Sequence, residues 1–255
     1  AALIEAVRRA TREVDGAPLV PPVVGEWSDL GLLVQPAVSR ATELHGLVGS
    51  LSAGSASVSA VFADAGSALA ALHECSLPPE APVRTFLDDI RELRGYRPAI
   101  AAADAATAAR FTALVDTLEA AGSSTPEDVV TSHGAFRTDQ LIAGEDRLMM
   151  IDLDTVCRSE RARDIGNLLG YLDWKAIRRP DLAEMLAAVR DGFLAGYARR
   201  LPLLAPARVT VNRAASLAKI AGRRFRGLTV TEWHLVPSLL SAAERLASVP
   251  QMEPT

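Results

Sequence analysis

Three oxygen-bearing side chains stand at the ends of two short predicted strands. Gln140 precedes one apolar strand, and Asp152 and Asp154 follow a second strand that spans Leu148 to Ile151. In a two-stranded hairpin the start of one strand lies beside the end of the other, so we expect Gln140 and Asp152 to lie close together. Mg²⁺ prefers hard oxygen ligands, and phosphate oxygens complete its shell. The sequence therefore predicts a magnesium–phosphate site at this end of the hairpin.

Apolar periodicity and strand breakers predict the elements that must hold this site. Short apolar runs bounded by Gly, Pro or Asp predict strands, and apolar residues at helical spacing predict helices. The order is a short α/β start, a hairpin in the middle and a long helical body, which indicates an α+β fold. The predicted strands are 30–34, 129–130, 141–142 and 148–151, and the predicted helices are 2–14, 58–75, 82–93, 98–120, 162–174, 181–197, 207–222 and 231–248.

Length and charge exclude some classes of protein. The chain has 255 residues, which is enough for one large domain or two small ones, and 49% of them are hydrophobic, so a substantial core can form. Its 31 acidic residues outnumber its 27 lysines and arginines. That balance argues against a general electrostatic grip on nucleic acid.

Cysteine usage and apolar runs bear on location. No apolar run approaches the roughly 20 residues of a membrane helix, and the first residues lack the layout of a signal peptide. The two cysteines, Cys75 and Cys157, have no metal-ligand spacing. We therefore expect reduced thiols in the cytoplasm, with neither membrane nor nucleic acid as a partner.

The segments around the hairpin resemble the catalytic region of the aminoglycoside phosphotransferase and choline kinase family. That family's pattern is His-Gly-Asp, four residues, Asn, and then a strand ending Ile-Asp-x-Asp; this chain has HGAFRTDQLI followed by MMIDLD. Further segments resemble the family in the same order, namely GLLVQPAV, ALAALHEC, ARDIGNLLGYL and FLAGYARR. The resemblance covers about residues 30–199. It implies a protein-kinase-like fold, with a partial N-lobe and linker at 1–38 and a mostly helical C-lobe at 39–255 that contains the catalytic-loop hairpin at 129–154.

The resemblance assigns roles to individual positions. His133 opens the catalytic loop, and Ala135 stands where the family places its catalytic Asp, the carboxylate that accepts the proton of the acceptor hydroxyl. Gln140 replaces a metal-binding Asn and keeps an amide oxygen on a longer side chain. Asp152 matches the main metal ligand, and Asp154 matches a carboxylate that assists the metal.

Other candidate site residues allow more than one interpretation. Asp139 is either a displaced catalytic base or a solvated loop charge, and Arg137 is either a surface cation or a group that faces phosphate. His133 is either catalytic or a loop histidine bonded to backbone. Gln35, where the last N-lobe strand enters the linker, is the candidate nucleotide contact. Asp164 is expected to brace the start of a helix.

The N-lobe lacks parts that the family uses. The family anchors nucleotide phosphates with a Lys on an early strand, paired to a Glu on the next helix; Glu5 or Glu13 could be that Glu, but no Lys precedes Lys175. The chain also begins at Ala1 without a Met, which suggests trimming or missing upstream residues.

Two functions follow from these residues. The first is a phosphotransferase that uses Mg²⁺ and ATP or GTP to phosphorylate a small hydroxyl-bearing metabolite, with catalysis weakened or lost at Ala135. The alternative is a non-catalytic, pseudokinase-like binding or scaffold protein with a protein partner.

Overall fold

The computed structural model describes residues 1–37, 42–44, 46, 56–122, 129–144, 147–202 and 206–248. The helices are α1 (Ala2–Glu13), α2 (Ala56–Glu74), α3 (Phe86–Arg94), α4 (Arg97–Ala103), α5 (Ala105–Ala121), α6 (Arg161–Arg178), α7 (Ala183–Ala198), α8 (Pro206–Arg226) and α9 (Val236–Ala247). The strands are β1 (Gly25–Trp27), β2 (Leu32–Val34), β3 (Thr42–Glu43), β4 (Val129–Ser132), β5 (Leu141–Ala143), β6 (Leu148–Met150) and β7 (Cys157–Glu160). The predicted boundary between residues 38 and 39 lies outside the described residues, so the division at that boundary stays a prediction.

The chain divides into two compact units. The first comprises Ala1–Val83, Asp128–Arg161 and Glu184–Leu203, and the second comprises Arg84–Glu127, Ala162–Ala183 and Leu204–Thr255. All the strands belong to the first unit, which also carries α1, α2 and most of α7.

The first unit holds small antiparallel sheets. β1 pairs with β2, β5 pairs with both β3 and β6, and β4 pairs with β7. The β5–β6 register places Leu141 opposite Met150, as the predicted hairpin requires. Strand β7 was not predicted, because its residues Cys157–Glu160 do not alternate between apolar and polar types. Pairing with β4 buries it instead.

Two predicted helices differ from the observed ones because of local contacts, and a third, predicted at 231–248, begins as the 3₁₀ helix Val230–Leu235 before α9. The predicted helix 98–120 is divided at Asp104, whose φ of −156° is extended and whose side chain accepts the Ala106 N–H to begin α5. The predicted helix at 82–93 begins only at Phe86. Thr85 caps it, whereas the Pro82 carbonyl accepts the N–H of Arg158 at 2.7 Å. In both places a local side-chain or strand contact overrides the helical periodicity.

Helices α2 and α7 pack closely through glycines. A Cβ atom on Gly196 would lie 1.8 Å from the Ala63 carbonyl oxygen, and one on Gly66 would lie 2.0 Å from the Phe193 carbonyl oxygen. Neither position has room for a side chain, so the two backbones approach each other at these glycines.

Gly196→Ala should therefore destabilise the protein. In an open helix the change normally stabilises by up to about 1 kcal/mol; here we expect a loss of about 1–3 kcal/mol, since the helices must separate. Urea unfolding of the variant measures this. Ala195→Ser, on the exposed side of α7, is the control and should change stability by less than about 0.5 kcal/mol. A more stable Gly196→Ala protein would contradict the packing.

The second unit has an apolar core of α3, α4, α5, α8 and α9. Beside it lies a cluster of charges: Lys219 Nζ is 2.8 Å from Glu92 Oε2, and Arg163 pairs with Asp89. Burial raises the pKa of Glu92, but Lys219, Tyr96 and an arginine outweigh burial and hold it at about 2. Asp164 is fully buried in the first turn of α6, where the sequence predicts a bracing carboxylate.

Within the described residues, neither cysteine forms a disulfide. In the same ranges, no helix combines the length and the apolar character needed to cross a bilayer.

Candidate active site

The β5–β6 hairpin brings Gln140 and Asp152 together. The Gln140 Nε2 donates to Asp152 Oδ2 at 2.9 Å, and the Ile151 N–H donates to the Gln140 carbonyl at 3.0 Å. Both residues flank the paired strands, so the strand register fixes their separation. The predicted meeting of the amide and the carboxylate is confirmed.

Asp152 has a left-handed backbone. Its φ of 62° and ψ of 46° place it just before the short turn Leu153–Thr155. Few residues other than glycine adopt this conformation, although Asp does so more readily than most. Its side chain is 49% exposed. The turn therefore holds an ionisable group at the surface in a conformation that costs energy, a feature that clusters at functional sites.

His133 and Gly134 pack the predicted catalytic loop, residues 133–140, against the segments on either side of Asp152. The fully buried His133 ring donates from Nε2 to the Ile151 carbonyl at 3.0 Å, and Thr155 Oγ1 donates to the His133 carbonyl at 3.0 Å. Gly134 has a φ of 85°, and a Cβ there would lie 2.2 Å from the Thr155 carbonyl oxygen. His133 thus positions the loop; a catalytic role for it stays a prediction.

Ala135 lies between residues that fix the loop on either side. His133 and Gly134 precede it, and the fully buried Phe136 follows and packs on Phe193 with ring centroids 5.9 Å apart. Ala135 itself is partly exposed. The loop conformation therefore does not depend on a polar side chain at this position, and the methyl group of Ala135 cannot accept a proton.

Arg137 lies among the carboxylates. Its Nε is 3.1 Å from Asp139 Oδ1, and its Nη2 is 3.9 Å from Asp152 Oδ2. Asp139, the candidate displaced base, lies in the turn Thr138–Gln140 and is partly exposed. Its carboxylate binds the guanidinium, which makes it a counter-ion of Arg137. The approach of Arg137 to Asp152 could not be predicted from the sequence, because it depends on the side-chain conformation and on the turn Thr138–Gln140.

The charge of Asp152 disfavours ionisation of Asp154. Partial burial raises the pKa of Asp154; the charge of Asp152 and a hydrogen bond with it raise that pKa further, whereas His133 lowers it. Two carboxylates at this spacing are stabilised when a cation lies beside them.

We expect Asp154→Asn to remove a contribution to stability that declines as the pH rises. Because the folded carboxyl has the raised pKa, the folded state holds its proton more tightly than the unfolded state. The contribution of Asp154 is therefore full at low pH and is lost as the pH rises through that raised pKa. The melting temperature of the variant minus that of the wild type should increase between about pH 3 and about pH 7.

Asp29→Asn, in the exposed turn between β1 and β2, is the control for loss of a surface carboxylate. If the melting temperature of Asp154→Asn minus that of the wild type stays constant or decreases over this pH range, the pKa of Asp154 is not raised in the folded protein.

Gln140, Asp152 and Asp154 lie at one end of the hairpin, and we call this end the edge. Its side chains fit a hard divalent cation. Gln140 Oε1 is buried and finds no hydrogen-bond partner among the described residues, although its sister atom Nε2 binds Asp152. An amide oxygen beside two carboxylates is the donor set that Mg²⁺ takes together with phosphate oxygens. No group of three or more His, Cys, Asp or Glu side chains in the described ranges could hold a metal. Substrate oxygens would have to complete the shell.

The two N-terminal candidate residues, Gln35 and Glu5, form hydrogen bonds within the first unit. Gln35 Nε2 donates to the Pro21 carbonyl at 2.8 Å. Its predicted contact with nucleotide stays a prediction. Glu5 accepts the Val23 N–H at 2.9 Å and binds Arg8, and these bonds lower its pKa. In the structure Glu5 braces the segment before β1.

Comparison with known proteins places the chain in a family. The phosphotransferase enzyme family model, APH, matches residues 1–203. The chain belongs to this family. None of the curated proteins compared with the chain matches it.

Solved structures of low sequence identity share the fold. A choline/ethanolamine kinase family protein from Mesorhizobium loti is 12% identical with a TM-score of 0.60; the match covers 98% of this chain and 79% of that one. A thermostable mutant of an aminoglycoside phosphotransferase, in its apo form, is 16% identical with a TM-score of 0.60 and coverages of 95% and 82%. A glucosamine kinase in complex with glucosamine, ADP and inorganic phosphate is 17% identical with a TM-score of 0.56 and coverages of 86% and 60%.

The predicted fold class is confirmed, since these neighbours are kinase-like and the elements are an α+β set dominated by helices. The chain spans 60% of the glucosamine kinase, so its activity, substrates and partners are matters for proposal.

Proposed function

We propose that the protein uses a nucleoside triphosphate and Mg²⁺ to phosphorylate a small molecule, and that its transfer to hydroxyl groups is slow. The observation that carries this proposal is the edge where Gln140 and Asp152 meet at 2.9 Å beside a loop that lacks its base. Neighbours of the same fold support the use of nucleotide, because a glucosamine kinase binds ADP and a spectinomycin phosphotransferase binds AMP.

Each part of the edge has a separate task. Asp152 and Gln140 would hold Mg²⁺, with Asp154 nearby, and the ion would neutralise charge on the phosphates. His133 and Gly134 would hold the loop against the acceptor. Ala135 supplies no proton acceptor, so the contribution of general-base catalysis, typically about 10²- to 10⁴-fold, would be missing for a hydroxyl. Positioning and charge neutralisation would remain.

A second candidate is a non-catalytic binding or scaffold protein with a protein partner. It is favoured by two departures from the family in one site: Ala135 for Asp and Gln140 for Asn. For either function we propose a cytoplasmic location, which fits the absence of disulfides at Cys75 and Cys157.

Label transfer separates the two functions. The chain is incubated with Mg²⁺ and [γ-³²P]ATP or [γ-³²P]GTP, and with glucosamine, choline or spectinomycin as hydroxyl acceptors. Slow transfer that requires enzyme, metal and acceptor would support the phosphotransferase and exclude the non-catalytic protein. Binding of nucleotide without transfer to any acceptor would favour the second candidate.

A further inference from the structure

Two neighbouring positions of the catalytic loop change the charge that an acceptor meets. Ala135 removes a carboxylate at the position where the family places its proton acceptor, and Arg137 adds a guanidinium two residues later. The Arg137 side chain is 33% exposed and lies 3.9 Å from Asp152, so it belongs to the same edge as the candidate metal site. Both changes act in the same direction, because each makes the loop less negative.

The two changes suit different acceptors to different degrees. A hydroxyl must lose its proton as it attacks phosphorus, and a methyl group at position 135 cannot take that proton. A carboxylate or a phosphate is already ionised at neutral pH and needs no base. A carboxylate at position 135 would repel such an oxyanion, whereas Ala135 does not.

Resting on the proposed function, we propose that the acceptor attacks through an oxyanion, either a carboxylate or a phosphate, and that Arg137 helps to select it. An oxygen of the acceptor donates an electron pair to the γ-phosphorus, and the bond from that phosphorus to the bridging oxygen breaks. The nucleoside diphosphate leaves with the electron pair. The product is an acyl phosphate or a phosphoanhydride, and no proton is transferred in the step.

Arg137 has the geometry for this selection. A guanidinium binds carboxylate and phosphate groups through parallel N–H donors, which the point charge of a lysine cannot do. Its Nε contacts Asp139 at 3.1 Å, and the 3.9 Å from Nη2 to Asp152 is longer than a hydrogen bond. An entering oxyanion competes with these two carboxylates for the guanidinium, and Asp152 would compete less if it held a cation.

The test compares acceptors that carry only one kind of nucleophile. Acetate, propionate and succinate present carboxylates, methyl phosphate presents a phosphate, and choline presents a hydroxyl. Each is incubated with the full chain, Mg²⁺ and [γ-³²P]ATP, and the product is treated with hydroxylamine, which cleaves acyl phosphates. We expect transfer at least about tenfold faster to an oxyanion than to choline. Hydroxylamine-labile label identifies the carboxylate as the source, and resistant label identifies the phosphate.

Variants at two positions show whether the loop causes the preference. Ala135→Asp should lower transfer to the oxyanion and raise transfer to choline, which a merely structural defect could not do. Arg137→Gln should raise the KM for the oxyanion by about 10-fold or more with a smaller change in kcat, since it removes a charged hydrogen bond. Arg147→Gln, at an exposed arginine directly before β6, is the matched control.

The outcomes separate this inference from the proposed function. Transfer to choline but not to any oxyanion overturns the inference and leaves the phosphotransferase intact. Nucleotide binding without transfer to any of these compounds also overturns it. Failure to bind Mg²⁺·ATP, measured by calorimetry, contradicts the proposed function itself and this inference with it.

Discussion

Ala135→Asp should raise the rate of phosphoryl transfer to a hydroxyl acceptor by about 10²- to 10⁴-fold, the usual contribution of a general base. The carboxylate would stand in a loop whose shape is already set by the buried rings of His133 and Phe136. Ala135 is partly exposed, so the larger side chain has access to solvent and to the acceptor. The quantity to measure is kcat/KM for choline or glucosamine with label from [γ-³²P]ATP.

Ala135→Asn is the matched control for this gain. Asparagine has nearly the same size and polarity as aspartate but cannot accept the proton. It should therefore stay within about threefold of the wild type, well below the range that a base contributes. Equal gains for Asp and Asn would show that size or polarity at position 135, and not proton transfer, limits the rate in the wild-type protein.

Asp152→Ala should weaken the binding of Mg²⁺·ATP by more than about 10²-fold. Loss of an outer-shell partner alone costs metal sites about 10- to 100-fold, and Asp152 is the carboxylate that contacts the amide of Gln140 directly. The expected loss concerns the metal-dependent part of binding, so binding of ATP without Mg²⁺ should change much less. Calorimetric titration with and without Mg²⁺ measures both parts.

Two further variants separate charge from conformation at Asp152. Asp152→Asn keeps an amide oxygen and tolerates the left-handed backbone, so the loss of metal affinity should be intermediate. Asp152→Gly relieves the backbone conformation with φ of 62° and should preserve or raise stability while binding is lost. Asp181→Ala, at an exposed carboxylate of the second unit, should leave binding unchanged. A loss of folding in Asp152→Gly would contradict the assignment of this residue to function.

The site could be predicted from the sequence where strand pairing alone decides the geometry. Gln140 and Asp152 flank two apolar strands. Antiparallel pairing of Leu141 with Met150 therefore places these two residues side by side. The contact of Arg137 with Asp139 and its approach to Asp152 depend on side-chain rotamers and on the turn at 138–140. No periodicity encodes those, so the sequence left two readings of Arg137 open.

The fold could be predicted where apolar periodicity is long. For α8, apolar periodicity predicts a helix at 207–222, and the observed helix spans Pro206–Arg226. Strand β7 and the break at Asp104 were missed because each depends on a specific partner: β7 on β4, and Asp104 on the N–H of Ala106. Tertiary pairing and capping overrode local propensity at both places.

We expect the end of the hairpin around Asp152 to bind nucleotide through a metal even though Ala135 supplies no base. Calorimetric titration of the wild-type chain and of Asp152→Ala with ATP, in the presence and absence of Mg²⁺, measures this binding. The wild type should bind in a Mg²⁺-dependent way, and Asp152→Ala should lose that dependence. If the wild type binds no ATP, or if both proteins bind equally with Mg²⁺ present, Asp152 does not hold a metal–nucleotide complex.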